Sequence, residues 1–452
     1  MFRILVLSGA ILVASPGHAA DLERVERVIA DPRGLDAPGC AIGAFRGGEP
    51  LFITAAGAGD IGSGTPLDGD TLFYAASLSK QFTALAAAIL AESGRLDLDQ
   101  DVRRYLPELP DYGAPVTARM LMNHTAGIRD SLDLIRLAGL GRAAEVDKNT
   151  ALRLVLEQRG TNFIPGGDYT YSNGGYLLLA EVVERVAGMP FADYARQAIL
   201  EPLGMTRSFF LNDRPPTGVN IAHGYVPTRT GFDVRDTYPR FSGSGGLMIT
   251  INDLAKFEHD IEVGHRVWTP AITRVLTTPG VFRDGSPVRD GRNGLGYGGG
   301  LMIGHRNGQF FVQHGGAAEA FKNAYARLPE RRLAVAVLCN RSDWVAQDKA
   351  DEIIEAVEGD ILTDRKVVEP VLEGRYGSEE LQAIYALTPV DGGLDAVISS
   401  GHDNGARRPL RFKRQDDGSY RSSGTQLVFD NDGDAFTLTT SRVRAIRFRR
   451  LE

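Results

Sequence analysis

FYAASLSKQFTALAAAILAESG, residues 73–94, is the stretch that decides the fold. From Ser77 onward its apolar and small residues recur at helical spacing and stop at Gly94, as in a buried helix. Ser77 and Lys80 stand three apart at the start of that helix, so they share a face and the amine can take the hydroxyl proton. The helix start also favours negative charge, through the dipole and N–H groups that lack intrahelical partners. The pattern predicts an activated serine nucleophile at a helix N-terminus.

Alone, S-x-x-K is weak, since this composition gives roughly 0.3 matches by chance. Two more motifs follow in order, Tyr171-Ser172-Asn173 (Y-x-N) and His314-Gly315-Gly316 (H-x-G). The ordered triple is expected by accident only roughly 0.02 times. With LMNHTAGI (121–128) and GSGGLMITINDLAKF (243–257) between them, the set resembles the serine β-lactamase and penicillin-binding-protein superfamily. The nearest resemblance is to its class C β-lactamase, DD-carboxypeptidase and D-aminopeptidase group, across Pro38 to Leu362.

That resemblance implies an α/β (α+β) β-lactamase/transpeptidase-like fold, an antiparallel sheet with an inserted helical subdomain. It implies catalysis by Ser77, Lys80 and Tyr171 and substrate binding by Asn173, His314, Gly316 and Ala317. The backbone N–H groups of Ser77 and Ala317 would form the oxyanion hole. No cofactor and no metal is implied. An isolated lysine is almost wholly protonated at neutral pH, so Lys80 must be perturbed by burial, or Tyr171 must act as a phenolate held by a cationic Lys80. The sequence leaves both open. Tyr171 and Asn173 are two apart, which in extended chain points both side chains the same way. The β-lactamase pattern has K-T-G where this chain has His314, and a mostly neutral histidine is a poor partner for a carboxylate. Weak β-lactam hydrolysis is therefore expected, and the H-x-G form resembles D-aminopeptidases and some esterases.

Among 452 residues, 43% are hydrophobic and 24% charged, ordinary for a globular protein with a full core. A net charge of −7 argues against nucleic-acid partners. Arg3, the apolar run Ile4 to Ala14 and small Ala19 and Ala20 after Pro16 read as an export signal over residues 1–20, cleaved near Ala19 or Ala20. The run is too short for a stable membrane anchor, so the mature chain is expected to be periplasmic or secreted.

Leu22 to Ala30 reads as a helix, and Cys40 to Arg46 with Pro50 to Gly57 as a hairpin. Asp97 to Asn252 reads as mostly helix and loop. Leu295 to Ile303, Gln309 to His314, Phe321 to Leu328 and Leu333 to Cys339 read as strands, with a closing helix from Trp344 to Leu362. The catalytic domain is thus expected over 21–363 and a linker over 364–372. Residues 373–452 carry short alternating runs between turns at Asp391-Gly392-Gly393, Asp403-Asn404-Gly405, Asp416-Asp417-Gly418 and Asn431-Asp432-Gly433. That spacing suggests a small antiparallel, lipocalin-like barrel, read as a stabilising or homo-oligomerising module, or as the source of a loop that selects substrates. Arg442, Arg444, Arg447, Arg449 and Arg450 read as a solvated strand face.

In the resembled fold the strands bearing Cys40 and Cys339, the chain's two cysteines, are antiparallel neighbours. A disulfide and two buried free thiols both remain open. Gly294, Gly296 and Gly299 match G-x-G-x-x-G but do not open a helix, so no dinucleotide is implied. His124 reads as a structural group at a helix end.

The expected function is an exported serine hydrolase acting through an acyl-enzyme on D-amino-acid peptides or related amides and esters. A class C-like β-lactamase, a DD-carboxypeptidase and a carboxylesterase are the enzymatic alternatives. An inactive wall-binding protein of the same fold is the non-enzymatic one, and intact Lys80 and Tyr171 argue against it.

Overall fold

The computed structural model describes residues 22–211, 219–362 and 372–451, except 237, 240, 292, 360, 391, 401–408, 416–418, 423–424, 431–432 and 441–445. The expected signal segment, residues 364–371 of the expected linker, Asp391, the turns at 403–405 and 416–418, Asn431-Asp432, Arg442 and Arg444 lie outside the described residues. The chain divides into two compact units between Leu362 and Thr363. No helix among the described residues is long and apolar enough to cross a membrane.

The first unit opens with α1 (Leu22–Ile29) and the hairpin β1 (Cys40–Arg46) and β2 (Glu49–Ala56). The helix α2 (Ser79–Glu92) follows, and then a helix-and-loop layer holding α3 (Ala118–Met122), α4 (Ser131–Leu137), α5 (Asn173–Ala187) and α6 (Ile251–His259). The sheet resumes with β3 (Gly296–Tyr297), β4 (Met302–Arg306), β5 (Gln309–Ala318), β6 (Phe321–Leu328) and β7 (Leu333–Cys339), and α7 (Ala346–Glu358) closes the unit.

Strand order is β3-β4-β5-β6-β7-β1-β2, antiparallel throughout. β7 is buried at every position because both sheet faces are covered, which is why LAVAVLC is a continuous apolar run. Alternation sorts the side chains. Cys40, Ile42, Ala44, Val335 and Val337 pack with Ile353 and Ile354 of α7, while Ala41, Phe45, Ala336 and Leu338 join Phe82, Leu85 and Phe257 of the helical layer. Each fully buried Val or Leu there contributes about 1.5–3 kcal/mol. Cys40 and Cys339 are register partners and form a disulfide, with Cα atoms 4.1 Å apart.

Several boundaries differ from the sequence reading. Leu295 to Ile303 is two short strand pieces, because Gly298-Gly299-Gly300 leaves the sheet to press on α2. Gly300 has φ +71°, and a Cβ there would stand 2.6 Å from Gln81 N. The nearby G-x-G-x-x-G pattern thus adjoins helix packing. His314 does not end its strand, since β5 runs on to Ala318, held by its pairing with β6. The closing helix is shorter at both ends than Trp344 to Leu362.

The second unit is a closed antiparallel barrel of eight strands, β8 (Gly374–Ser378), β9 (Ala383–Val390), β10 (Gly393–Ser400), β11 (Leu410–Arg414), β12 (Tyr420–Ser422), β13 (Thr425–Phe429), β14 (Ala435–Thr439) and β15 (Ile446–Arg450). β8 pairs back to β15 at Tyr376 and Arg450. Tyr376, Leu387, Phe412, Phe436 and Phe448 fill its interior, and the Phe436 and Phe448 rings stack at 4.7 Å. On β15, Ile446 and Phe448 point inward while Arg447 and Arg449 are exposed, the solvated face expected of them, but Arg450, read with them, is half-buried and donates to Tyr376 Oη at 2.7 Å.

Candidate active site

Ser77 is carried by a short turn rather than by α2 itself. Phe73 and Tyr74 pair with Ile249 and Met248, and Ala75 N donates to Leu247 O at 2.9 Å. Ala76 then takes a left-handed conformation, φ +49°, an uncommon geometry for a residue with a Cβ. It turns the chain into a 3₁₀ turn, Ala76–Leu78, that precedes α2. Ser79 staples this turn. Its hydroxyl donates to Ala76 O at 2.6 Å and accepts from Leu247 N at 3.2 Å.

Lys80 is completely buried. Its Nζ lies 3.1 Å from Ser77 Oγ, 2.8 Å from Asn173 Oδ1 and 2.9 Å from Ser244 O. Burial pulls its pKa down to about 7, against a smaller upward pull from Asp130. The two fixed acceptors take two N–H bonds, so the third direction on the nitrogen faces Ser77. In the neutral amine that direction is a lone pair, which accepts the serine proton.

The Asn173 amide is oriented from behind. One oxygen of Asp130 accepts Asn173 N at 2.7 Å and Nδ2 at 2.8 Å, which leaves Oδ1 for Lys80. The other oxygen caps α4 through Leu132 N and Asp133 N, at 2.9 and 3.0 Å. Asn173 is the first residue of α5, with Ser172 as its cap at φ −138° and ψ 119°, so the Y-x-N segment is an extended entry into the helix.

His124, at φ +61° after α3, accepts Ser172 N at Nδ1 at 3.1 Å. Its ring packs on Tyr171 at 4.3 Å between centroids. This matches the structural role read for it. Tyr171 in turn lies beneath Lys80, with Nζ 4.8 Å from the ring centroid, a cation–π distance.

β5 supplies the other wall. β4 pairs with it only through Gln313, so from His314 to Ala318 its edge on that side is open. Gly316 faces the nucleophile turn closely enough that a Cβ would stand 2.3 Å from Ala75 O. Asn323 Nδ2 of β6 donates to Tyr74 O at 2.9 Å, tying the hairpin to the same segment.

His314 is buried. Its Nδ1 donates to Gly315 O at 2.5 Å, and Tyr297 Oη stands 2.8 Å from Nε2. A carbonyl only accepts, so Nδ1 carries the proton and Nε2 receives the phenol. Burial and then Lys80 pull the His314 pKa down to about 3, keeping the ring neutral.

Two clefts meet at Ser77 and Ala317. One, of about 470 Å³, is lined by Tyr171, His314, Gly315, Gly316, Lys322 and the chain from Ser342 to Gln347. The other, of about 260 Å³, is lined by Asn173, Ser244, Leu132, Arg142, Pro239 and Glu319. The structure therefore brings Ser77, Lys80, Tyr171, Asn173, His314, Gly316 and Ala317 together. Cys40 and Cys339 stand apart as a structural pair. Among the described residues no three His, Cys, Asp or Glu side chains gather to hold a metal. Sequence reasoning missed Asp130, the Ser244 carbonyl and Lys322. GSGGLMITINDLAKF was noticed as a motif, but its contact with Lys80 is made by the backbone and leaves no side-chain signature.

The Beta-lactamase family profile matches residues 25–358. A D-aminopeptidase from Brucella melitensis biotype 2 is 27% identical over 427 residues, covering 92% of this chain and 77% of that protein. Penicillin-binding protein 4* of Bacillus subtilis is 36% identical over 185 residues, 40% of this chain and 41% of that protein, so that match spans less than half of either. Among solved structures, the octameric penicillin-binding protein homologue from Pyrococcus abyssi superposes with a TM-score of 0.67 at 22% identity, covering 94% of this chain and 97% of that one.

Proposed function

The chain belongs to the Beta-lactamase family of serine hydrolases, and on that premise we propose that it is an exported hydrolase of D-amino-acid peptides and related amides or esters. The observation that carries the reading is the Lys80 amine, buried and anchored by Asn173 and Ser244 with its remaining direction on Ser77 Oγ. Lys80 takes the serine proton as Oγ bonds to the scissile carbonyl carbon, and the carbonyl electron pair moves to oxygen. The resulting oxyanion is held by the N–H groups of Ser77 and Ala317. Collapse expels the amine or alkoxide, which takes its proton from the Lys80 ammonium with Tyr171 as relay. Water then attacks the acyl-enzyme by the same route in reverse. Lys80 is the base in this reading because its pKa sits near the working pH, where general bases are most effective.

The D-aminoacyl preference is supported by the D-aminopeptidase relative, whose match extends into the second unit, and by the neutral His314. Export rests on the N-terminal apolar run after Arg3. The Pyrococcus homologue of the same fold is octameric, and a homo-oligomer through the barrel is part of the proposal.

A fluorophosphonate or penicillin probe on the mature protein, with the adduct located by mass, tests the nucleophile. A D-alanyl anilide, a chromogenic cephalosporin and short-chain nitrophenyl esters then rank the substrates. Labelling of Ser77, with the anilide turned over faster than the cephalosporin, is expected. Unchanged hydrolysis by Ser77→Ala overturns the reading.

A further inference from the structure

Lys80 is in contact with more than its polar neighbours. Its Nζ stands over the faces of two rings, 4.8 Å from the centroid of Tyr171 and 5.5 Å from that of Tyr176. Tyr176 lies outside the Y-x-N triplet, three residues after Asn173 on α5. Residues three apart on a helix share a face, so the Asn173 amide and the Tyr176 ring reach Lys80 from the same side of α5.

The ring is fixed in place. Tyr176 is fully buried, its hydroxyl donates to Met122 O at 2.8 Å, and the centroid of the His124 ring lies 5.1 Å from its own and 4.3 Å from that of Tyr171. Burial raises the phenol's pKa well above its ordinary value, so at neutral pH Tyr176 carries no charge and acts on the amine through its ring. An aromatic face is negative and attracts an ammonium within about 6 Å, most strongly where water is excluded. A neutral amine gains little from such a face. The attraction therefore grows as Lys80 takes the proton of Ser77, and an interaction that strengthens along the reaction lowers its barrier.

The other titratable groups around the amine do not replace it. Asp130 favours the ammonium only from behind the Asn173 amide, and His314 on β5 is held neutral. Among the described residues no carboxylate pairs with Lys80, whose hydrogen-bond partners are Ser77, Asn173 and the Ser244 carbonyl.

We propose that Tyr176 is a positioning residue of the reaction, its ring face stabilising the Lys80 ammonium as the Ser77 proton is transferred. The proposal rests on the reading of Lys80 as the base for Ser77 and adds a residue to that same site.

Ring electronics decide it. Tyr176→Phe keeps the ring and serves as the conservative reference, expected to retain most of kcat/KM. Difluoro- and then trifluorophenylalanine at position 176 withdraw charge from the ring face with little change of volume. Weaker support for the cation lowers the Lys80 pKa, so each step should move the acid limb of kcat/KM on a nitrophenyl ester to lower pH. The trifluoro ring should shift it by about 0.5–1 unit and lower the plateau about three- to tenfold. In Ser77→Ala protein, carbon NMR of the Lys80 Cε should read the same pKa shift without turnover, and melting temperatures confirm that each variant folds. A Lys80 pKa that stays fixed or rises across the fluorinated series, or loss of activity in folded Tyr176→Phe, overturns the proposal. Failure of the nucleophile reading is separate, since it appears as hydrolysis that persists in Ser77→Ala whatever the titration gives.

Discussion

A single carboxylate oxygen of Asp130 holds both the backbone N–H and the side-chain amide of Asn173, at 2.7 and 2.8 Å. The amide therefore presents its oxygen, and not its NH2, to Lys80. Without the carboxylate the amide is free to turn. Asp130→Ala is expected to lower kcat by about 10–100-fold, in line with the loss of a group that orients a catalytic partner. It should also cost about 1 kcal/mol from the uncapped α4. Because Asp130 raises the Lys80 pKa, the acid limb of the rate profile should move to lower pH. A variant with unaltered kcat and pH profile would show that Asp130 is only a helix cap.

The pH dependence of kcat/KM should show one acid limb near pH 7, where Lys80 loses its proton, falling about tenfold per unit below it. His314 should add no limb between pH 4 and 9, because its pKa lies near 3. Stability carries the His314 signature instead. The unfolded residue takes a proton at about 6.5 and the folded one only near 3, so between those values unfolding binds a proton. Stability should fall as pH falls through that window, by up to about 1.4 kcal/mol per pH unit. Denaturant midpoints of wild type and His314→Gln across pH 6.5 to 4 read this slope, which the substitution should flatten.

The gathering of Ser77, Lys80 and the Y-x-N and H-x-G residues was legible because catalysis of the proposed kind needs particular side chains at short spacings. The core strands were legible because Leu333 to Cys339 is apolar at each position. What escaped was fixed by distant pairing. Asp130 looks locally like the cap of SLDLIRL, and its second task involves a residue 43 positions away. Lys322 became a cleft residue only through its register with Ala317. The tail of β5, His314 to Ala318, lacks bulky strand formers and by sequence reads as a strand end, but pairing with β6 extends it. The Ser77 helix was read from the serine itself, whereas the left-handed Ala76 inserts a 3₁₀ turn first.

Cys40 and Cys339 close a loop of 299 residues and lie fully buried between β1 and β7. Removing a native disulfide typically costs about 2–5 kcal/mol. Cys40→Ala/Cys339→Ala is expected to lose stability in that range by guanidinium denaturation, while keeping wild-type kcat on a nitrophenyl ester well below its melting temperature. An unchanged midpoint would mean that the pair is dispensable for the sheet.

Gly316 sets the distance between the Ala75–Ser77 turn and Ala317, the two halves of the proposed oxyanion site. A Cβ at this position would stand 2.3 Å from Ala75 O, a backbone atom that cannot swing aside. Ala75 is itself anchored to Leu247, so in Gly316→Ala the edge of β5 must retreat and carry Ala317 N–H with it. Overpacking of this kind costs about 1–3 kcal/mol, and a displacement near 1 Å at a reacting centre costs about 100-fold in rate. Gly315 offers the control, since its nearest atom to an added Cβ is Asn323 O at 3.6 Å, an ordinary contact, and Gly315→Ala should melt near wild type. Gly316→Ala should therefore lose far more kcat than its stability loss explains at a temperature where it remains folded. Full activity in folded Gly316→Ala would remove Ala317 from the oxyanion site.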